Sequence, residues 1–417
     1  MNSKILITGS GGREHALAWK LAQSMGWDKV FTASGNSGIP NSHPLDISDF
    51  RAVENFCRTH QIDLIFVGPE QPLSEGIVDY FKHTDIRVFG PDKQAAQLEA
   101  SKIFAKKFMQ KYNIATADFR IFHNVDNAHS YINEKQGDLV IKFDGLAGGK
   151  GVFVCSTVDE AREALATLEK SYGKQVDFII EDKISGDEVS VIGFTDGKSL
   201  KTLLPSQDHK QLLDEDKGPN TGGMGAYCPV DVAPKIWQDI QENIIQPTLR
   251  GIQAEQMRYK GVIYFGIMVK DGKGYLLEYN VRFGDPETEV LLPALQTDLY
   301  QIITACLNEQ LSEIDLKFNK GYFADVVLVS GGYPKQYEKG KEITGLNHLP
   351  EDILVFHAGT KKENEKLLTN GGRVLNIVAH GNSLEEAMGK AYKAVEKIHF
   401  DGMFFRRDIG KRNNYEL

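Results

Sequence analysis

Short apolar runs alternate with segments of helical periodicity over the first 90 residues. The apolar runs predict strands at 4–8, 29–33, 64–67 and 87–89, and the segments between them predict helices near 14–25, 49–60 and 74–83. Alternating strands and helices are typical of a parallel sheet with crossover helices. Asp92 is predicted to cap a further helix that runs to about Tyr112 and leads out of this first unit.

Beyond residue 112 the pattern predicts two units that mix helices and strands. Strands at 138–143, 152–155 and 178–181 with a helix at 158–171 form a small unit near 114–190, and a helix near 233–255 and a hairpin that turns at 271–274 follow it. Strands near 322–330, 353–358 and 373–379 with a helix at 383–398 end the chain. We therefore predict an α/β and α+β multidomain protein that begins with a Rossmann-like parallel sheet, with domains at 1–103, 104–318 and 319–417.

The composition narrows the choice of partners. The chain of 417 residues carries a formal net charge of −9 at pH 7, which argues against nucleic acid or an anionic membrane as the main partner. Phosphorylated small molecules stay possible, because they need a local cluster of cations rather than a basic protein. The four cysteines stand far apart, and the sequence shows neither a signal peptide nor an apolar stretch long enough to span a membrane. We expect a cytoplasmic protein with reduced thiols.

A glycine-rich loop, Gly9 to Gly12, follows the first predicted strand and opens the first predicted helix. The N–H groups and the positive end of a helix suit a phosphate there. A dinucleotide site would also need a carboxylate at the end of the second strand, where residues 32–36 read TASGN. A phosphate contact and a tight structural turn both stay open for this loop. Glu70, after a later strand, could hold ribose hydroxyls or be a solvated loop residue.

A second glycine-rich segment, VIKFDGLAGGKGV at 140–152, has a lysine in an apolar strand and then a turn between two strands. A Walker loop would open a helix instead. We predict a phosphate clamp, in which Lys142 is a fixed cation and the glycine loop closes over a triphosphate and excludes water. The alternative is an ordinary hairpin with a surface lysine. Glu181 ends a nearby strand whose backbone suits adenine, and Glu188 lies where a carboxylate would suit the ribose.

The strand that ends with Glu278 and Asn280 gives the strongest local signal. Side chains alternate across a strand, so these two residues project from one face. A carboxylate and an amide oxygen are hard ligands that suit Mg²⁺, which keeps waters and binds substrate phosphates. Arg282 is predicted to continue that face and to neutralise a phosphoryl group. The partner strand, 261–270, carries no carboxylate and offers no third ligand; a solvated strand face is the alternative.

A long polar loop, 206–226, lies between the predicted clamp and the predicted metal strand. It mixes cations, carboxylates and glycines, as a pocket for two substrates would need. Loops of this length inside compact domains are usually functional. His209 in this loop receives no catalytic role, because a surface histidine is at least an equal alternative.

Taken together, these segments resemble the phosphoribosylamine–glycine ligases, also called glycinamide ribonucleotide synthetases, a family of ATP-grasp enzymes. The resemblance spans essentially the whole chain, and GPNTGGMGAY at 218–227 and RFGDPETE at 282–289 are its most specific parts. It implies an ATP-grasp core of two α+β subdomains between the Rossmann-like domain and a C-terminal α+β domain. It also implies a monomer that uses ATP and Mg²⁺ or Mn²⁺ to join glycine to phosphoribosylamine in purine biosynthesis, through a glycyl phosphate.

The same resemblance implies roles for individual residues. The residues expected to contact ATP are Lys102, Lys142, Gly148, Gly149, Lys150, Gly151, Glu181 and Glu188. The expected metal ligands are Glu278 and Asn280, and the expected catalytic residues are Arg282 and Lys142. The residues expected on the substrate side are Gly11, Gly12, Glu70, Asp208, Lys210, Asn220, Gly222, Gly223, Gly225, Arg282, Asp285 and Glu287.

Some positions depart from the pattern that is common in the family. Phe143 and Gly148 replace alanines, Ala100 replaces a glycine, Ala115 replaces a proline, and Asp182-Lys183 follows Glu181 where a Glu–aromatic pair is common. We expect altered nucleotide affinity rather than lost activity from these changes. Three other functions stay open: a carboxylating or formylating ATP-grasp purine ligase, a dehydrogenase, and a non-catalytic nucleotide-binding module.

Overall fold

The computed structural model describes residues 3–148 and 151–411. Its largest sheet has nine strands and begins as a parallel sheet. Ile5–Thr8 lies between Val30–Ala33 and Leu64–Val67 and pairs in parallel with both. All residues of these three strands are buried, as expected for parallel strands with near-continuous apolar sequences.

This sheet continues into the middle of the chain. Arg87–Pro91 pairs in parallel with Leu64–Val67 on one side and antiparallel with Tyr259–Lys270 on the other. Lys273–Asn280 forms a hairpin with Tyr259–Lys270. Apart from Lys273–Asn280, which pairs only with Tyr259–Lys270, the strands of this sheet follow one path. Their order is Leu200–Thr202, Asp187–Thr195, Tyr259–Lys270, Arg87–Pro91, Leu64–Val67, Ile5–Thr8, Val30–Ala33 and Ser42–His43.

The other described strands form two further sheets and two separate hairpins. The lid sheet, our name for the four-stranded antiparallel sheet, has the order Phe119–Phe122, Phe178–Asp182, Leu139–Phe143 and Val152–Cys155. The five-stranded sheet has the order Gln207–Asp208, Gly225–Cys228, Tyr322–Val329, Arg373–Gly381 and Leu354–His357. The hairpins pair Gln211–Leu213 with Lys217–Asn220 and Thr360–Glu363 with Lys366–Thr369.

The helices pack around these sheets. Side chains that accept N–H groups of the first turn begin several of them, including Asp49, Thr157, Asp298 and Ser383. The α-helices are Gly12–Met25, Phe50–His60, Glu70–Glu75, Ile77–Tyr80, Gln97–Ala100, Lys102–Lys111, His129–Glu134, Val158–Tyr172, Pro234–Ile240, Gln246–Ala254, Glu287–Ala294, Leu299–Leu307 and Leu384–Val395. A π-helical turn, Gln241–Ile245, joins Pro234–Ile240 to Gln246–Ala254, so the predicted helix near 233–255 is continuous.

Two predicted helices are broken in the structure. The one near 74–83 starts earlier, at Glu70, and is interrupted at Gly76, whose φ of 97° is left-handed. The one from Asp92 to Tyr112 is interrupted at Ser101, which has extended backbone and caps the helix Lys102–Lys111 by accepting from Phe104 N. This second break places Lys102 at a helix start.

The sheets cross both predicted domain boundaries. Strands from 1–103 and from 104–318 share the nine-stranded sheet, and Gly225–Cys228 pairs with Tyr322–Val329 across the predicted boundary at 318. The boundaries stay a prediction, and the shared sheets bring side chains from all three segments together. Among the described residues, no helix is long and apolar enough to cross a membrane.

Candidate active site

Three lysines from separate segments converge on Glu278. Lys102 Nζ lies 3.1 Å from Glu278 Oε2. Burial alone would raise the pKa of Glu278, but the charges of Lys102, Lys210 and Lys142 outweigh it and bring that pKa to about 2. Glu278 is therefore an ionised carboxylate at neutral pH, held in a strongly cationic setting.

Asn280 lies beyond Glu278 on the same strand and is nearly buried. With its amide nitrogen directed at Glu99 Oε1, at 2.9 Å, its carbonyl oxygen is left to accept from another group. Gly266 stands opposite Glu278 in the hairpin, so the facing strand supplies no further carboxylate there. One carboxylate and one amide oxygen fit a Mg²⁺ ion that takes its remaining ligands from water and phosphates.

Lys142 is buried and makes an ion pair with Glu181, across the lid sheet. Its Nζ also donates to Leu277 O at 3.0 Å, which ties the lid sheet to the strand of Glu278. Lys106 Nζ contacts the other carboxylate oxygen of Glu181 at 2.7 Å. Burial raises the pKa of Glu181, but the two lysines outweigh it and lower that pKa overall. The surface-lysine alternative for Lys142 is wrong.

The second glycine loop begins after Phe143. Gly149 and Lys150 lie outside the described residues, whereas Gly148 is described, with a φ of +55° and no atom within 4 Å of a Cβ built on it. Phe143, where the family commonly has alanine, stacks on Tyr172 with ring centroids 3.9 Å apart. A Cβ on Gly151 would lie 3.1 Å from Phe143 Cβ, so the loop's return strand packs closely here.

Two other departures have local partners. Asp182 and Lys183 make ion pairs within the lid unit, with Lys135 at 2.5 Å and Asp138 at 3.1 Å. Ala115, where a proline is common, donates its N–H to Asn243 O at 3.0 Å, a bond that proline cannot make. These substitutions therefore strengthen contacts around the lid unit.

The loop 206–226 adds Lys210 to the site. Lys210 makes an ion pair with Glu188, and its Nζ lies 3.9 Å from Asp208 Oδ1. Burial lowers the pKa of Lys210, but the charges of Asp208 and Glu188 raise it well above its usual value. His209 is fully buried, so the surface alternative for it is wrong, and its Nε2 accepts from Gly410 N.

The first glycine loop is closely packed. Gly11 N donates to Glu14 Oε2 at 2.7 Å, and Glu14 is paired with Arg13 at 2.6 Å. A Cβ on Gly12 would lie 2.6 Å from oxygens of both Asn376 and Glu289. The tight-turn alternative is therefore well supported by packing, and a phosphate contact would have to displace Glu14 from Gly11.

Arg282 lies outside the strand, which ends at Asn280, so strand alternation does not set its direction. It pairs instead with Glu99 at 2.8 Å and Glu70 at 3.4 Å. Burial lowers the pKa of Arg282, but the carboxylates raise it overall, and in return Arg282 and Arg13 lower the pKa of Glu70 against its burial. The strand ends before Arg282, so alternation alone does not place it on the metal face, and its role stays a prediction. Arg282 and the amide of Asn280 nevertheless meet at the same oxygen, Glu99 Oε1.

The remaining substrate-side candidates divide between the five-stranded sheet, the nine-stranded sheet and an exposed hairpin. Arg373 Nη1 lies 3.1 Å from Asp285 Oδ1 and contacts Gly222 O. Glu287 Oε1 accepts from Ser190 Oγ at 3.0 Å. A Cβ on Gly223 would lie 2.3 Å from Pro286 Cδ, and Gly225 begins the strand Gly225–Cys228, whereas Asn220 is exposed at the end of Lys217–Asn220.

Several buried charged residues of the site escaped the sequence analysis. Their shared signal is a charge at a position that the apolar pattern would bury, and they are Glu99, Lys106, Glu289 and Asp325, together with the half-buried Arg373. Burial first, and then neighbouring carboxylates, raises the pKa values of Glu289 and Asp325 well above the usual range. Burial therefore favours the protonated form of both carboxyl groups.

Known proteins match the whole chain. The phosphoribosylglycinamide synthetase N domain, ATP-grasp (A) domain and C domain match residues 3–99, 100–288 and 323–412. A phosphoribosylamine–glycine ligase of Clostridium acetobutylicum is 44% identical over 417 residues, which cover 98% of this chain and 99% of the relative. The chain belongs to the phosphoribosylglycinamide synthetase family. Its predicted family, and with it the class of ATP-dependent carboxylate–amine ligases, is confirmed.

A second relative and a crystal structure support the same family, and a more distant structure shares the fold. The Neisseria meningitidis phosphoribosylamine–glycine ligase is 45% identical and covers 98% of this chain and 99% of its own length. The crystal structure of the Thermotoga maritima phosphoribosylamine–glycine ligase has a TM-score of 0.83 and 36% identity, covering 97% of this chain and all of that one. A Campylobacter jejuni biotin carboxylase, with a TM-score of 0.71 and 17% identity over 96% of this chain and 92% of that one, shares the fold alone. The predicted fold class is confirmed.

Proposed function

We propose that this protein joins glycine to 5-phosphoribosylamine with ATP, giving glycinamide ribonucleotide, ADP and phosphate. Two full-length relatives carry the name of that activity. In the first step, a carboxylate oxygen of glycine attacks the γ-phosphorus and ADP leaves. In the second, the amine nitrogen attacks the carbonyl carbon of glycyl phosphate, phosphate leaves with the C–O bonding pair, and the nitrogen loses a proton.

One observation carries this proposal: Lys102 contacts Glu278 from a helix start, and the charges of Lys142, on a lid strand, and Lys210, in a loop, act on the same carboxylate. Cations on separate elements suit a polyphosphate chain, because each contacts a different phosphate group. Each of them is already paired with a carboxylate, so the arrangement is held in place before nucleotide arrives. A divalent cation held by Glu278 and Asn280 would neutralise phosphate charge beside these lysines.

The substrate side of the proposal rests on the arginine cluster. Arg373 pairs with Asp285, and Arg282 pairs with the buried Glu99. The charges of Arg282 and Asp285 both act on the buried Arg13, so the two pairs adjoin one residue. A guanidinium suits the carboxylate of glycine or the charge of an acyl phosphate, and a carboxylate suits an ammonium group. We therefore assign the glycine and ribosylamine ends of the pocket to this cluster.

An assay of ADP release with each substrate omitted in turn tests the reaction. We expect release to require both glycine and phosphoribosylamine, and to stay at background with bicarbonate or formate in place of glycine. Release that follows bicarbonate would make the protein a carboxylating ligase. Nucleotide binding without any turnover would favour a binding module, and quenching of NADH fluorescence would favour a dehydrogenase.

Replacing Glu278 tests the metal assignment. Glu278→Ala should lower turnover by about a thousandfold, since a preorganised group that stabilises transition-state charge contributes factors of about 10²–10³. ATP should still bind weakly through the lysines, and a chelator should abolish turnover of the unaltered protein. Glu313→Ala, an exposed acid on a distant turn, is the matched control. Unchanged turnover in Glu278→Ala would remove the assignment.

We also propose that the enzyme works as a monomer in the cytoplasm. The four cysteines are buried free thiols, which suits a reducing compartment. Sedimentation at several protein concentrations would reveal a dimer as a concentration-dependent mass.

A further inference from the structure

Lys106 stands apart from the other lysines of the site because it faces no predicted ligand. It lies on the helix Lys102–Lys111, one turn after Lys102, and only 2% of it is exposed. Its Nζ contacts Glu181 Oε2 at 2.7 Å and donates to Thr116 Oγ1 at 2.6 Å. It also lies 5.5 Å from the centroid of the Phe119 ring. A lysine buried this deeply needs a function or a strong partner.

Glu181 is therefore held between two ammonium groups. Lys142 reaches one carboxylate oxygen from within the lid sheet, and Lys106 reaches the other from a helix outside it. If one of the two lysines moves away to bind another group, the other must stay, because the buried carboxylate of Glu181 would otherwise have no cation beside it. Lys142 also bonds Leu277 O, next to Glu278, and so is the one that adjoins the phosphate cations.

We propose that Lys106 is a positioning residue for the nucleotide: it remains as the counter-ion of Glu181 when the phosphates of ATP draw Lys142 away. This inference rests on the proposed function, because it needs a nucleotide among Lys102, Lys142 and Lys210. A buried carboxylate stripped of its partners is strongly destabilised. Without Lys106, Lys142 would have to stay on Glu181, and nucleotide binding would have to break that pair.

Binding of MgADP, measured by calorimetry without glycine or phosphoribosylamine, tests the proposal. Lys106→Met should raise the Kd for MgADP about tenfold or more, because binding then draws Lys142 away and leaves the buried Glu181 carboxylate without a cation. Adding Glu181→Gln to Lys106→Met removes that carboxylate, so the double variant should bind more tightly than the product of the two single losses predicts. Lys107→Met, an exposed neighbour on the same helix, is the matched control. Purely multiplicative losses, or an unchanged Kd in Lys106→Met, would overturn the proposal.

Proton uptake gives a second test that needs no variant. Burial lowers the pKa of Lys106 to about 8, with Glu181 and Asp118 opposing and Lys142 adding to the shift. Withdrawal of Lys142 should raise that pKa. Since about a quarter of Lys106 is already protonated at pH 8.5, MgADP binding should take up at most about three-quarters of a proton. Titrations in two buffers of different ionisation enthalpy measure it. Lys106→Arg, which keeps its charge, should show no uptake.

The outcomes separate this proposal from the proposed function. No proton uptake by the unaltered protein would overturn the role of Lys106, even where Lys106→Met fails to fold. If MgADP binding shows the expected proton uptake and the expected loss in Lys106→Met, but ADP release does not depend on glycine, the ligase reaction is overturned. The role of Lys106 then stands.

Discussion

The two glycine loops differ in what surrounds them, although each contains a glycine with left-handed backbone. Gly9 has a φ of +102°, and a Cβ built on it would lie 2.7 Å from Glu14 Cδ. Gly148 has a φ of +55°, and no atom of the described residues lies within 4 Å of its Cβ position. In the first loop glycine therefore allows close packing against a neighbouring side chain. In the second loop it allows a left-handed backbone without any close neighbour among the described residues. A glycine-rich motif by itself does not reveal which of these two uses applies.

The partners of the first loop explain the difference. Asn36 donates to Ser10 O at 2.9 Å and also to backbone carbonyls at 357 and 358, in the C-terminal segment. Gly12 touches Asn376 and Glu289, which come from two further elements. The first loop is thus a junction of three chain segments, whereas Gly148 is exposed and has no such contacts among the described residues.

The largest effect that follows from this comparison is at Gly9. Gly9→Ala must adopt a left-handed backbone and also move Glu14, which Gly11 N and Arg13 hold in place. Strain and overpacking each cost about 1–3 kcal/mol, so the variant should lose roughly 3 kcal/mol or more of its free energy of unfolding. Urea denaturation monitored by circular dichroism measures this loss. A loss below about 1 kcal/mol would show that the junction repacks easily, and the contrast with Gly148 would fail.

The elements that could be predicted from sequence are those whose signal is local. The parallel strands were predicted from apolar runs, Lys142 from a lysine within such a run, and the pairing of Glu278 with Asn280 from alternation along one strand. Each of these needs only a few neighbouring residues.

The remainder of the site depends on partners far apart in the chain. Glu99 accepts from Val281 N across 182 positions, and Arg373 meets Asp285 across 88. Arg282 was predicted to follow strand alternation, but the strand ends before it and Glu99 sets its direction. A single sequence does not show which buried charges are neighbours, and so it does not show Lys106, Glu289 or Asp325.

An intermediate effect is expected when the junction is acidified. His15 Nδ1 accepts from His357 N at 2.9 Å, and burial, with the neighbouring His357, lowers the pKa of His15 to about 3. Burial lowers the pKa of His357 to about 4. The unfolded chain binds these protons near pH 6.5, so stability is fully present above that pH and falls as pH decreases. At pH 5 the cost should be about 2 kcal/mol for each histidine.

Urea denaturation at pH 7, 6 and 5 checks this slope. His15→Asn, which retains an acceptor but does not titrate, should remove about half of the histidine contribution. His83→Asn, on an exposed turn, is the control and should leave the slope unchanged. A slope that stays the same in His15→Asn would mean that other groups cause the acid sensitivity, and the junction would no longer be the acid-labile region.

The smallest effect is expected at Gly148, and it makes the comparison quantitative. Gly148→Ala meets a milder backbone restriction than Gly9→Ala, because a φ of +55° lies in the left-handed region that other residues occasionally adopt. Since no described atom lies near its Cβ position, it should cost about 1 kcal/mol, at the low end of the usual cost. The KM for ATP should change by no more than about twofold, because no described atom lies against the added methyl group. Subtracting the loss at Gly148 from the loss at Gly9 then gives an upper limit for the contribution of Glu14 and the junction behind it, because the backbone at Gly9 is the more strained of the two. If Gly148→Ala were as damaging as Gly9→Ala, backbone conformation would explain both losses, and packing at the junction would explain neither.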